Sequence, residues 1–105
     1  MSKYILLYSG GTHPETEEEM AEVMKAWGAW YESLGSSVVD PGNPVSAVSK
    51  ISTDGRVSDG SNFPDATGYT IIQAETKDEA FKMAQKCPVL QGGSEISVFE
   101  ALDVM

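Results

Sequence analysis

The side chains able to do chemistry are few and lie far apart in the chain. His13 is the only group whose ordinary pKa lies near neutrality, and it follows Gly10-Gly11 at the mouth of an expected helix, a setting where loops place binding groups. It is a candidate base or ligand, although a lone loop histidine is commonly a capping or solvated residue. A metal would need further ligands at recognisable spacing, and none is found, so no metal site is expected. Cys87 would need a base beside it to act as a nucleophile, and the one histidine is remote in sequence. As a small hydrophobe it suits a core position near a helix end. Asp40 and Asp59 sit at strand ends beside turns, where either can face a cleft or simply stabilise its turn. Trp27, Trp30 and Tyr31 form an aromatic cluster that would suit the wall of an apolar pocket, or core or interface packing. No serine lies in a nucleophile elbow and no glycine run matches a phosphate loop, so no cofactor is expected.

The elements that must position these groups follow from periodicity. Lys3 to Tyr8 is almost continuously apolar, which predicts a strand covered on both faces. Met20, Met24, Trp27, Tyr31 and Leu34, widened by Val23 and Trp30, recur at three- and four-residue steps and predict one long helix. Its start is open between Pro14 and a Thr16 cap with Glu19 three residues on. Glu15, Glu17, Glu18 and Glu19 favour the positive end of the helix dipole, which accounts for that acidic run without a ligand. Gly35 closes the helix.

Ser36 to Asp40 begins an extended segment, Pro41-Gly42-Asn43-Pro44 interrupts it, and Val45 to Ser52 resumes it. Thr53-Asp54-Gly55-Arg56 predicts a hairpin with a two-residue Asp-Gly turn. Tyr69 to Ala74 reads as a buried strand. Thr76 and Glu79 then form a capping box for a second helix to about Lys86, stopped by Pro88. Glu95 to Glu100 predicts the last strand.

The whole is 105 residues with 41% hydrophobic and 22% charged residues, which is one domain's worth of material over 1–105. Seven Lys and Arg against a formal net charge of −9 argue against nucleic acid and anionic membranes as partners. No apolar stretch approaches the roughly 20 residues that span a bilayer, and the N-terminus lacks a signal-peptide pattern, so a cytoplasmic protein is expected.

The order βαββαβ predicts an α+β, ferredoxin-like fold with an antiparallel sheet and both helices on one face. The opposite face then carries apolar residues of the first strand and of Tyr69 to Ala74, and a homodimer through the sheet face would cover them.

With these blocks in place the chain resembles the YCII-related domain family, in its DGPF-type branch. The resemblance is carried by KYILLYSGG, AWYESLG, VSDGSNF, GYTIIQAETKDEAFKMAQKCP and EISVFEA, and it covers essentially the whole chain. The chain departs from the branch at Ser61-Asn62, where a single proline usually stands, and lacks an acidic-Thr-Lys-Glu segment before Gly68-Tyr69. The resemblance implies a dimeric α/β barrel with a helix/sheet cleft in each protomer. Some relatives carry a His and Asp pair proposed as catalytic, the His on the first helix; Met24 stands at or near that position here, so no catalytic residue carries over.

Two functions fit. In one, Tyr8, Trp27, Tyr31, Asp40 and His13 line a cleft for a small molecule, with Asp59 as a further candidate, and the protein is enzyme-like. In the other, it is a non-catalytic dimerisation module, and fold alone does not choose between them.

Overall fold

The computed structural model describes residues 1–12 and 14–103. His13, and with it the proposed base or ligand at that position, lies outside the described residues.

Eight elements follow in order: β1 (Ser2–Ser9), α1 (Glu17–Leu34), β2 (Val38–Asp40), β3 (Ser49–Ile51), β4 (Val57–Asp59), β5 (Ala66–Ala74), α2 (Lys77–Ala84) and β6 (Glu95–Ala101). Strands β2, β5, β1 and β6 form one antiparallel sheet in that spatial order, which is the ferredoxin-like arrangement. Tyr4, Leu6 and Tyr8 of β1 and Thr70, Ile72 and Ala74 of β5 alternate inward. They meet Trp30 of α1, Ala80 and Ala84 of α2, and Cys87, so both helices cover the same face.

Both helices begin at a threonine cap. Thr16 Oγ1 accepts from the Glu19 amide at 3.1 Å, and Thr76 Oγ1 from the Glu79 amide at 3.2 Å. Each glutamate reaches one residue past the expected partner: Glu19 accepts from the Glu15 amide and Glu79 from the Glu75 amide, the residues before the caps. Helix α2 ends at Ala84, earlier than Lys86, because Cys87 precedes Pro88 and takes an extended conformation.

Two expectations are corrected. After a single bond from the Val45 amide to the Thr67 carbonyl, the Val45–Ser52 segment leaves the main sheet; β3 pairs only with β4 in a separate two-stranded ribbon inserted between β2 and β5. Its turn is not a two-residue one. The Gly55 amide donates to the Ser52 carbonyl and the Ser52 amide to the Arg56 carbonyl, giving a three-residue loop with Gly55 at φ 87°. Asp54 is spent inside this turn, its carboxylate accepting from the Arg56 amide at 3.0 Å.

The molecule is flat, 44 × 41 × 17 Å, with a radius of gyration of 15.3 Å against about 13 Å for a compact chain of this length. Its accessible surface is 7698 Å², against roughly 5,700 Å² for a folded monomer of this mass. On the sheet face away from the helices, Ile5 pairs with Ile71 on one side and Phe99 on the other, and Leu7 pairs with Tyr69. None of these five is fully buried.

Gly42, at φ 80°, lets the chain leave β2 tightly against β5, and a Cβ there would collide with the Tyr69 carbonyl. Gly42→Ala is therefore expected to destabilise the fold by more than about 1 kcal/mol, read as a lower urea midpoint at unchanged slope.

Candidate functional site

Tyr8, Trp27 and Tyr31 come together, but as packing rather than as an open wall. The Trp27 indole stands edge-on to Tyr8 with ring centroids 5.6 Å apart, and packs beside Trp30 and Tyr31 at 5.6 and 5.7 Å. Beneath them the polar atoms satisfy one another. The Tyr8 hydroxyl donates to Thr70 Oγ1 at 2.6 Å, Thr70 donates to the Pro41 carbonyl at 3.0 Å, and Tyr31 donates to the same carbonyl at 3.1 Å. Trp30 is held by its indole N–H on the Met83 carbonyl at 3.0 Å, which ties α1 to α2.

Asp40 closes the neighbouring edge of the sheet. Its Oδ1 accepts from the Gly42 amide at 2.9 Å, and its Oδ2 takes a long bond from the Tyr69 hydroxyl at 3.4 Å. Tyr69 belongs to the β5 set that alternates away from the helices, so the hydrogen bonds of Asp40 go to its own turn and to the open face of the sheet, while its charge still acts on Tyr31 of the aromatic cluster. Asp59 is exposed on the inserted hairpin, opposite Ser49. It is not brought to the other candidates.

Burial dominates the titration of the enclosed groups. It pushes the Tyr8 phenol far above its ordinary value, with the Thr70 hydrogen bond pulling the other way. Burial likewise raises the Tyr31 phenol and the Cys87 thiol, which lies beside Tyr8. A thiol held protonated is a poor nucleophile, which agrees with a packing role for Cys87.

The open space lies next door. A cleft of about 330 Å³ runs between the N-terminal half of α1, the loop after β1 and the turn Pro88–Gly92. Trp27, Val23 and Val89 supply its apolar wall, and Glu22, Gln91 and Ser94 its polar rim. Trp27 thus has one edge on the core and a surface on the cleft. The two loops are stapled across 80 or more residues of sequence: the Thr12 amide donates to the Gly92 carbonyl at 2.9 Å, and Ser94 Oγ donates to the Gly10 carbonyl at 2.9 Å. Gly11 has no side chain because one would collide with Ser94.

Val89, Gln91 and Ser94 were not among the residues singled out from sequence, although Pro88 and Gly92-Gly93 mark the turn that presents them. The helix face is also only half covered. Met20 and Met24 are 48% and 64% exposed, so the apolar stripe predicted as core extends past the sheet. Met24, at or near which the resemblance would put a histidine, is therefore on the helix surface and outside the cleft lining.

No protein-family model matches this chain, and no curated protein matches it. Solved structures do. The 5-chloro-2-hydroxyhydroquinone dehydrochlorinase TftG from Burkholderia phenoliruptrix AC1100, in complex with 2,5-dihydroxybenzoquinone, superposes with a TM-score of 0.55 at 19% identity, over 94% of this chain and 93% of that one. The Arabidopsis thaliana protein At3g17210 superposes with a TM-score of 0.51 at 12% identity, over 100% of this chain and 97% of that one. What the likeness shows is a shared α+β fold. Among the described residues, no helix is long and apolar enough to cross a membrane.

Raised phenol and thiol pKa values mean that the folded state holds protons which an unfolded chain releases. Stability from these groups is present below their ordinary values, 9.0 for the thiol and 10.0 for the phenols, and falls as pH rises beyond them. Tyr8→Phe is expected to flatten that alkaline fall while costing about 1 kcal/mol at neutral pH for the lost hydrogen bond, both read from denaturant midpoints between pH 7 and roughly 11.

Proposed function

We propose that this chain is a YCII-related protein of the DGPF type that acts in the cytoplasm as a homodimer and binds a flat, uncharged or cationic small molecule in the cleft beside Trp27. The observation that carries this reading is the cleft itself, where the apolar Trp27, Val23 and Val89 stand against a polar side made by Thr12, Glu19, Glu22, Gln91 and Ser94, at the small end of the volumes that hold organic ligands. Its described lining contains Glu19 and Glu22 and no lysine or arginine, which disfavours anions. Trp27 offers a ring surface that stacks on flat molecules and attracts organic cations. That a protein of the same fold holds a benzoquinone supports a flat ring as the ligand shape.

The dimer is supported by the shape of the protomer. The Ile5, Ile71 and Phe99 row is apolar and open on a slab 17 Å thick. The surface excess over a compact monomer, about 2,000 Å², is of the order that stable assemblies cover.

A second reading, a non-catalytic interaction module, is favoured by one feature. The polar atoms of Tyr8, Thr70, Pro41 and Tyr31 are committed to one another, and among the described residues no buried side-chain nitrogen or oxygen lacks a partner. The groups between helices and sheet are structural, so any chemistry would fall to the cleft.

The two readings separate in a thermal-shift titration with neutral hydroquinones and aromatic amines, paired with tryptophan fluorescence. Binding is expected to add about 2.7 kcal/mol of stability at a ligand concentration 100 times Kd, and Trp27→Ala to abolish the increment. A panel without any stabilising compound, or an increment unchanged in Trp27→Ala, contradicts the cleft reading.

A further inference from the structure

The polar side of the cleft beside Trp27 is built to accept hydrogen bonds rather than to give them. Two of its residues carry hydroxyls, and both have already placed their protons. Thr12 donates its amide and its Oγ1 hydroxyl to the Gly92 carbonyl, at 2.9 and 3.2 Å. Ser94 donates its amide to the Val89 carbonyl at 3.3 Å and its hydroxyl to the Gly10 carbonyl at 2.9 Å. A carbonyl can only accept, so the direction of these bonds is fixed, and each hydroxyl oxygen keeps only lone pairs for the cleft. Pro14 and Pro88, also in the lining, have no amide proton to offer.

The carboxylates add to this. Glu19 spends one oxygen on the Glu15 amide at 3.0 Å as part of the helix cap. Glu22 is not spent: among the described residues it takes no side-chain hydrogen bond, and the one ion pair there joins Arg56 to Asp54 on the hairpin. The remaining side-chain donors of the lining are the Gln91 amide, which accepts equally well, and the Trp27 indole N–H.

We infer that the ligand of this cleft is a hydrogen-bond donor carrying positive charge, an arylalkylamine with its ring against Trp27 and its ammonium on the Glu22 carboxylate. This rests on the proposed small-molecule cleft and narrows it. The helix sets the shape of the ligand. Glu22 and Trp27 both line the cleft from α1, and the helix axis rises about 7.5 Å from one to the other. A bare cation on Glu22 would not reach the indole, whereas a flat ring with its amine on a two-carbon chain spans both. An ammonium brings three donors to a surface of lone pairs. A carboxylate brings none and is repelled by Glu22.

The test is calorimetric titration of the full chain with three probes that share a phenyl ring on a short chain: 2-phenylethylamine, 2-phenylethanol and phenylacetate. The amine is expected to bind at least about 3-fold tighter than the alcohol, and phenylacetate to bind weakest. Glu22→Gln, at an exposed position the fold does not depend on, is expected to bring the amine-to-alcohol ratio close to one. Glu32→Gln removes the same charge from an exposed position of α1 outside the cleft and is expected to keep the ratio, which separates contact at Glu22 from the general field of an acidic protein. A wild-type ratio below about 3, a ratio that Glu22→Gln leaves unchanged, or one that Glu32→Gln lowers equally overturns the arylalkylamine. So does binding of a hydroquinone or aromatic amine by a protein that ignores 2-phenylethylamine, and in that case the cleft reading stands. If neither these probes nor that panel binds, both fall.

Discussion

Two helices can roof one face of a four-stranded sheet and no more. In this chain that limit organises everything else. The covered face takes the large inward residues of β1 and β5, closes them with Trp30, Ala80 and Ala84, and leaves no buried side-chain nitrogen or oxygen unpaired among the described residues. The uncovered face keeps Ile5, Leu7, Ile71 and Phe99 against solvent, a cost of about 25 cal/mol for every Å² of apolar surface left wet. A protein with this chain must either accept that cost or recruit a second surface, and the flat shape and surplus area favour recruitment.

The same limit places the candidate site. Helix α1 is longer than the sheet needs, so its C-terminal half packs through Trp30 and its N-terminal half overhangs with Met20 and Met24 exposed. The overhang and the stapled loops around Thr12 and Gly92 leave the cleft between them. Trp27 lies at the junction, which lets one residue serve the core on one edge and a ligand on the other. The aromatic cluster behind it is closed by hydrogen bonds to the Pro41 carbonyl and is not itself a cavity.

Much of the fold was legible because local chemistry and burial agree. The unbroken apolar run of β1, the Thr16 and Thr76 caps, and Pro88 as a stop each have a local cause that the tertiary structure reinforces. The hairpin was legible as a hairpin but not as a separate arm, since Val45, Val48, Ile51 and Val57 have the composition of a packed strand and only topology reveals that β5 is already flanked by β2 and β1. Its turn was misjudged by one residue because Asp-Gly serves both two- and three-residue loops. At the site, helical periodicity located Trp27 and Tyr31, whereas Val89, Gln91 and Ser94 join them through contacts between distant segments that no local pattern encodes. Asp40 and Asp59 look alike beside their turns, yet one edges the main sheet and the other lies out on the arm.

Sedimentation equilibrium of the full chain at micromolar concentration puts the central claim at most direct risk. A covered sheet face requires a species of twice the 11.3 kDa chain mass that dissociates only on dilution. A stable, folded species at the single-chain mass would mean that the open face tolerates water, and the assembly proposed for it would be wrong.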